Sequence, residues 1–218
     1  MLEIVQGSPS WFSARCGKAT ASKVADIIAK TKSGPSASRV NYAAQLVAER
    51  LTGTVEKSFT NAAMEWGTLT EADARNAYSF MHDVDVAEVG FVLHPTIGMT
   101  GASPDGLVGG DGLVEIKCPN TATHIATLLG GTIPAKYVPQ MQWQLACTGR
   151  AYCDFASFDP RLPDRMALFV RRLERDDKLI AELEAEVTAF LREVAETVDA
   201  LTAAYDPQSR ALSLVEAG

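Results

Sequence analysis

The segment Ser103-Pro104-Asp105-Gly106-Leu107-Val108 is joined to Leu113-Val114-Glu115-Ile116-Lys117 through Gly109-Gly110-Asp111-Gly112. Two runs of strand formers across a glycine-rich turn read as a β-hairpin, with strands expected over residues 99–107 and 112–118. Side chains alternate along a strand, so Glu115 and Lys117 share one face while Ile116 points to the core. A hairpin of this length brings Asp105 beside Glu115. Two carboxylates and one amine then crowd a single sheet end.

That grouping suits metal-assisted phosphodiester hydrolysis. Mg²⁺ takes one or two carboxylates together with water and substrate phosphate. Such an ion polarises the phosphoryl group and acidifies bound water. A neighbouring ammonium orients that water and offsets charge in the transition state. The main-chain carbonyl of Ile116 can serve as a further ligand while its side chain stays buried. The same residues admit a plainer account. Asp105-Gly106 can be turn chemistry alone, and Glu115 with Lys117 a solvent-facing pair worth about a few tenths of a kcal/mol.

Outward from the hairpin, apolar spacing predicts a helix over residues 21–29, with Thr20 or Ser22 as its cap. A basic-edged loop over residues 30–38 follows, then helices over 40–51, ending at Gly53, and over 62–80. Trp66, Leu69, Ala74, Ala77 and Tyr78 are the expected inner positions of the latter. A strand is expected over 84–93, helices over 122–129 and 139–148, and a strand pair over 152–158 and 167–173. A charged amphipathic helix runs from 176 to about 203. The order predicts one α/β domain over residues 1–218, a central mixed β-sheet flanked by helices.

Composition bounds the rest. With 218 residues, 47% hydrophobic and 22% charged, the chain reads as a globular protein with no run long enough to span a membrane. The N-terminus lacks a basic stretch followed by an apolar one, so the expected location is cytoplasmic. Cys16, Cys118, Cys147 and Cys153 are scattered without a CxxC pair. That spacing argues against zinc and iron–sulfur sites and for free thiols. A net charge of −7 disfavours a broad phosphate-binding surface but allows basic residues gathered in one channel.

Further stretches surround the cluster in a fixed order. They are Gln6-Gly7-Ser8 with Trp11, Arg15 with Gly17, Thr20-Ala21-Ser22, Trp66-Gly67 with Glu71, and Gln140 with Gln142. Ser103 to Leu107, Glu115 to Pro119, Phe158-Asp159-Pro160-Arg161 and Glu174-Arg175-Asp176 complete the set. The Pro-Asp…Glu-x-Lys core resembles the restriction-endonuclease-like PD-(D/E)xK nuclease superfamily. The ordered set resembles its lambda-phage exonuclease (YqaJ-type viral recombinase) branch over nearly the whole chain.

That resemblance implies a restriction-endonuclease-like core and a 5′→3′ exonuclease using two Mg²⁺ ions, with Mn²⁺ as substitute. It implies digestion of one strand of linear double-stranded DNA from a 5′-phosphorylated end, leaving a 3′ overhang for recombination by single-strand annealing. A homotrimeric ring, a single-strand-annealing partner and a phage or prophage setting inside a bacterial cell are implied as well. Asp105, Glu115 and the Ile116 carbonyl would hold metal, Lys117 would position water, and Glu71 would reach the second ion. Gln140 would lie beside the metals, with Gln144 on its face. Arg15, Ser22 and Thr20 would form the 5′-phosphate pocket, and Val40 and Met64 would wedge open the duplex end.

From the residues alone, Glu71 can instead pair with Arg75 four positions on. Met64 can be a core residue, and the glutamines ordinary surface amides. A basic position after Cys118-Pro119 is occupied here by Thr123 or His124, and a lone histidine there reads as surface. A ring would place Lys30, Lys32 and Arg39 on an inner wall and the last helix toward solvent. The alternatives in function are a site-specific endonuclease on the same fold and a non-catalytic DNA-end-binding module. The first needs base-reading loops rich in Arg, Asn and Gln, which the sequence does not offer. The complete set Glu71, Asp105, Glu115 and Lys117 argues against the second.

Overall fold

The computed structural model describes residues 5–32, 34–55 and 62–205, and the side chains of residues 62–64 and 68 also lie outside the described ones. The chain begins with α1 (Pro9–Arg15), β1 (Ala19–Thr20), α2 (Val24–Ile28) and a small hairpin, β2 (Lys30–Thr31) and β3 (Gly34–Pro35). Two long helices follow, α3 (Ala37–Thr52) and α4 (Ala62–His82). The strands β4 (Val86–Ala87), β5 (Val92–Leu93), β6 (Thr100–Ala102), β7 (Gly106–Val108) and β8 (Gly112–Lys117) come next. After α5 (Thr121–Gly130) and α6 (Val138–Thr148) come β9 (Tyr152–Phe158), α7 (Asp164–Ala167), β10 (Leu168–Glu174) and α8 (Asp177–Tyr205).

The expected hairpin forms, with Gly106 opposite Val114 and Val108 opposite Gly112. It lies inside a five-stranded sheet of order β10-β9-β8-β7-β4. Within this sheet, among the described residues, only β8 and β9 are parallel, and a parallel pair needs a long crossover, which α5 and α6 supply. Leu113 packs with Met141, Leu145 and Phe155 on the α6 side. Val114 and Ile116 pack with Ala74, Tyr78 and Phe158 on the α4 side. Both faces of β8 are therefore covered, which makes it a central strand with a near-continuous apolar sequence.

Two expected strands are broken. Residues 99–107 divide into β6, in a second sheet of order β1-β6-β5, and β7 in the main sheet. Pro104 has no N–H to continue a ladder, and Ser103, Pro104 and Asp105 pass between the sheets. Residues 84–93 divide in the same way: β4 pairs with β7 and β5 with β6. Gly106 is not only a turn residue, since a Cβ there would lie 2.1 Å from Val86 Cγ1.

A helical layer closes the molecule. Ile27, Tyr42, Leu46, Trp143, Leu183, Val187 and Phe190 form one core from α2, α3, α6 and α8. Thus α8 buries one apolar stripe, Ile180, Leu183, Val187, Phe190, Leu191 and Val194, and only its other faces meet solvent. The helix expected over 21–29 is a 3₁₀ turn (Ala21–Lys23) running into α2, and neither Thr20 nor Ser22 caps it through its side chain. On α4 the inward positions are Thr70, Ala74 and Tyr78, while Leu69 is 78% exposed. Leu69 lies one residue, or about 100°, off that stripe.

Candidate active site

Glu115 sits on the α6 side of β8 and is fully buried. Its Oε1 accepts hydrogen bonds from the Lys117 ammonium and from Gln140 Nε2 at 2.5 Å. Its Oε2 accepts from Gln144 Nε2, also at 2.5 Å. Gln140 and Gln144 stand one turn apart on α6, so a single helix face presents both amides. A buried carboxylate is costly unless donors meet it, and here three do. The pair of Glu115 and Lys117 is therefore not solvent-facing. Burial alone would depress the Lys117 pKa, but the Glu115 and Asp105 carboxylates outweigh it and raise it above the ordinary lysine value.

Asp105 lies at the break between β6 and β7. Its Oδ2 accepts the Ile116 N–H at 2.7 Å, which locks it to the next strand. Burial first, and the charge of Glu115 next, push its carboxyl well above the usual carboxylate range. The loop before it is tied down from the N-terminus. Gln6 Nε2 donates to Pro104 O and Val89 O at 2.8 Å each, and Trp11 Nε1 donates to Ser103 Oγ at 2.9 Å. No local pattern could have shown these roles, because the Gln6–Pro104 and Trp11–Ser103 partners are 98 and 92 positions apart.

Glu71 makes the ion pair with Arg75 that its spacing allows and also stands near the cluster. It pairs with Arg75 at 2.8 Å, and it shares one electrostatic field with the cluster. Burial and the Glu115 charge raise its pKa against the opposing pull of Arg75 and Lys117. The same arginine donates from Nε to the Asp105 carbonyl at 3.2 Å and from Nη1 to Glu88 at 3.0 Å. Arg75 is thus a hub of the site, a part that its sequence position does not reveal.

Three carboxylates against the Lys117 ammonium and the Arg75 guanidinium make an oxygen-rich setting, still short of positive charge, for a hard divalent cation. Among the described residues they do not converge into a ready cage of three or more ligands. Among those residues the second Asp105 oxygen has no donor, and Glu115 Oε2, with one donor, keeps a free lone pair. Such a donor set fits an ion that retains waters and takes substrate phosphate oxygens, as Mg²⁺ does. Free thiols at Cys16, Cys118, Cys147 and Cys153 complete the metal-ligand types, and none joins a cluster among the described residues.

The Arg15 guanidinium stacks on Trp11 at 3.9 Å and donates from Nη1 to Ser103 Oγ at 3.4 Å. It therefore stands two residues from Asp105. Thr20 and Ser22 share a 3.3 Å hydroxyl contact, and Thr20 N–H donates to Tyr42 Oη at 3.1 Å. Val40 is 56% exposed in the first turn of α3, while the Met64 side chain lies outside the described ones. His124 corrects the surface expectation. It is fully buried, with Nδ1 on Ser157 Oγ at 2.8 Å and Nε2 donating to Met166 O at 2.9 Å, so it is closed to a phosphate. Lys30 pairs with Glu186 and Arg39 forks onto Glu193, so α8 already neutralises two of the expected inner-wall cations.

Residues 10–151 match the model of the YqaJ-like viral recombinase domain. The crystal structure of an alkaline exonuclease (LHK-Exo) from Laribacter hongkongensis is 52% identical, covering 95% of this chain and all (100%) of that one, with a TM-score of 0.85. The structure of LHK-Exo in complex with dAMP is 54% identical, covers 89% of this chain and 96% of that one, and has a TM-score of 0.84. A phage related exonuclease from Haemophilus somnus 129PT is 14% identical over 84% of this chain and 96% of that one, with a TM-score of 0.66. That last likeness is one of fold alone. No curated protein matches the chain. A family match over well over half of the chain and relatives above 50% identity together establish that it belongs to the YqaJ-like viral recombinase family, the lambda-exonuclease-like branch of the PD-(D/E)xK nucleases.

Proposed function

We propose that this DNA exonuclease of the viral recombinase family digests one strand of linear duplex DNA in the 5′→3′ direction, from a 5′-phosphorylated end, with two Mg²⁺ ions. The observation that carries the reading is the buried Glu115 carboxylate, held by Lys117, Gln140 and Gln144 beside Asp105. Asp105, Glu115 and the Ile116 carbonyl would hold the first ion, and Glu71 would reach the second. Bound Mg²⁺ supplies polarisation of the scissile phosphate and acidification of the attacking water.

The chain's own residues do the rest. Gln140 and Gln144, one on each oxygen, fix the Glu115 carboxylate plane. The Lys117 ammonium, kept charged by its acidic neighbours, orients water and offsets charge growing on the phosphoryl oxygens. Arg15 would grip the terminal 5′-phosphate with Ser22 and Thr20. Its reach to Ser103 supports a pocket one short step from the cut bond. Val40, 56% exposed in the first turn of α3, suits an apolar wedge at the duplex end, and Met64 is assigned the same part.

The product would be a 3′ overhang for a single-strand-annealing partner, made in the cytoplasm of a bacterium carrying the phage or prophage. None of the described helices is long and apolar enough to cross a membrane. A homotrimeric ring would retain DNA that a net charge of −7 otherwise repels, and a heterologous interface that closes by rotation makes such a ring. Mg²⁺-dependent release of nucleotides from a linearised plasmid, with the closed circle untouched, supports this reading. Nicking or cutting of the closed circle favours the endonuclease. Light scattering at micromolar concentration should return three times the 23.4 kDa chain mass, and a monomer mass would rule out the ring.

A further inference from the structure

The function as stated leaves Arg75 without a part, although it is one of the most heavily bonded side chains near the site. Its side chain is only 15% exposed, while its partners Glu71 and Glu88 are 36% and 64% exposed. Each nitrogen has its own acceptor: Nε the Asp105 carbonyl, Nη2 Glu71 and Nη1 Glu88. The planar fork of a guanidinium makes such a set rigid, because moving one contact moves all three. Glu71 is thereby held at a fixed place relative to the backbone of Asp105, across the gap between α4 and the strand end.

We infer that Arg75 is a positioning residue and resident counter-cation for Glu71: it holds the carboxylate toward Asp105 and competes with the divalent ion that Glu71 would help to bind. The inference rests on the placing of Asp105 and Glu71 at the metal site. A purely structural arginine and a counter-cation differ in sign. If Arg75 only braces the helix, removing it loosens the site and weakens metal binding. If its charge competes, removing it frees Glu71 and strengthens metal binding, since a fixed positive charge within a few ångströms opposes a second one strongly. Glu88 tunes the competition by drawing on the same guanidinium from the solvent side.

Mn²⁺ binding to the whole protein without DNA, followed by titration calorimetry and by the loss of the free-ion paramagnetic resonance signal, separates these cases. Arg75→Gln should tighten the weaker Mn²⁺ site by at least about fivefold, whereas Arg75→Lys, which keeps the charge, should stay within about twofold. At saturating Mn²⁺, turnover of Arg75→Gln should fall about tenfold, because a freed Glu71 is no longer held in register. Glu88→Gln, at an exposed position with little bearing on folding, should act in the opposite direction and weaken that site about twofold. Unchanged or weaker Mn²⁺ binding in Arg75→Gln, or tighter binding in Glu88→Gln, overturns the inference. If that happens while Glu71→Gln still weakens the second site, the reading of the metal site stands without it. If Asp105→Asn and Glu71→Gln also leave Mn²⁺ binding unchanged, the site reading fails and the inference falls with it.

Discussion

Gln144 donates a 2.5 Å hydrogen bond to Glu115 from the middle of α6, and neither side chain meets solvent. The candidate site is therefore built into the core, with one wall from the sheet and one from a helix some 29 residues further on. Losing one donor leaves part of a buried charge unmet, which costs about 1–3 kcal/mol. Gln144→Leu should lower stability by that amount in urea denaturation. Gln140→Leu, at the half-buried end of the same pair, should cost less. Equal losses would mean that burial does not decide the ranking.

The part proposed for Lys117 is on water and developing charge and not on folding. Lys117→Ala should reduce turnover by about 10²–10³-fold, in line with removal of an electrostatic stabiliser. Binding to DNA measured by fluorescence anisotropy should change little. A variant that retains half of the normal rate would remove Lys117 from the mechanism.

Arg15 should set the preference for a phosphorylated end. A charge-assisted contact to phosphate is worth about 1.5–3 kcal/mol, or roughly tenfold to a hundredfold in relative rate. Arg15→Ala should erase the difference between 5′-phosphate and 5′-hydroxyl substrates while leaving Mn²⁺ binding intact. Equal rates on the two ends in the unaltered protein would sink the assignment.

The acid limb of stability should carry the mark of Asp159. Arg161 donates to both of its oxygens and, with Thr121 adding a weaker pull, holds the carboxyl down at about 2. A pKa lowered in the folded state gives stability that is fully present above the ordinary carboxylate value. That stability is lost as pH falls from about 4 toward about 2. Urea midpoints across this window should fall less steeply for Asp159→Asn than for the unaltered protein. Identical slopes would show that the Arg161 contact does not survive in solution.

The centre of this fold was more legible in the sequence than its edges. β8 could be read because a six-residue strand of alternating roles follows a glycine-rich turn, and Asp105 and Glu115 meet as that hairpin requires. The breaks at Ser103-Pro104 and at Glu88 were not visible, since each half looks like strand and only the pairing partners differ. α1 gave no signal because none of its residues is buried, so no periodicity marks it. His124 was misread because its satisfaction depends on Ser157 and Met166, 33 and 42 positions away. The glutamines showed their shared helix face, yet nothing local disclosed that both amides end on one carboxylate.

Asp105, Glu115 and Lys117 are proposed to form a metal-dependent site that removes nucleotides from the 5′ end of a duplex. It is tested most directly on one linear, 5′-phosphorylated duplex labelled separately at the 5′ and 3′ termini of the same strand, digested with Mg²⁺ or with chelator. The expected result is early release of the 5′ label as a mononucleotide, late release of the 3′ label, and no release of either with chelator or in Lys117→Ala. Early loss of the 3′ label, or equal release with chelator present, would contradict it.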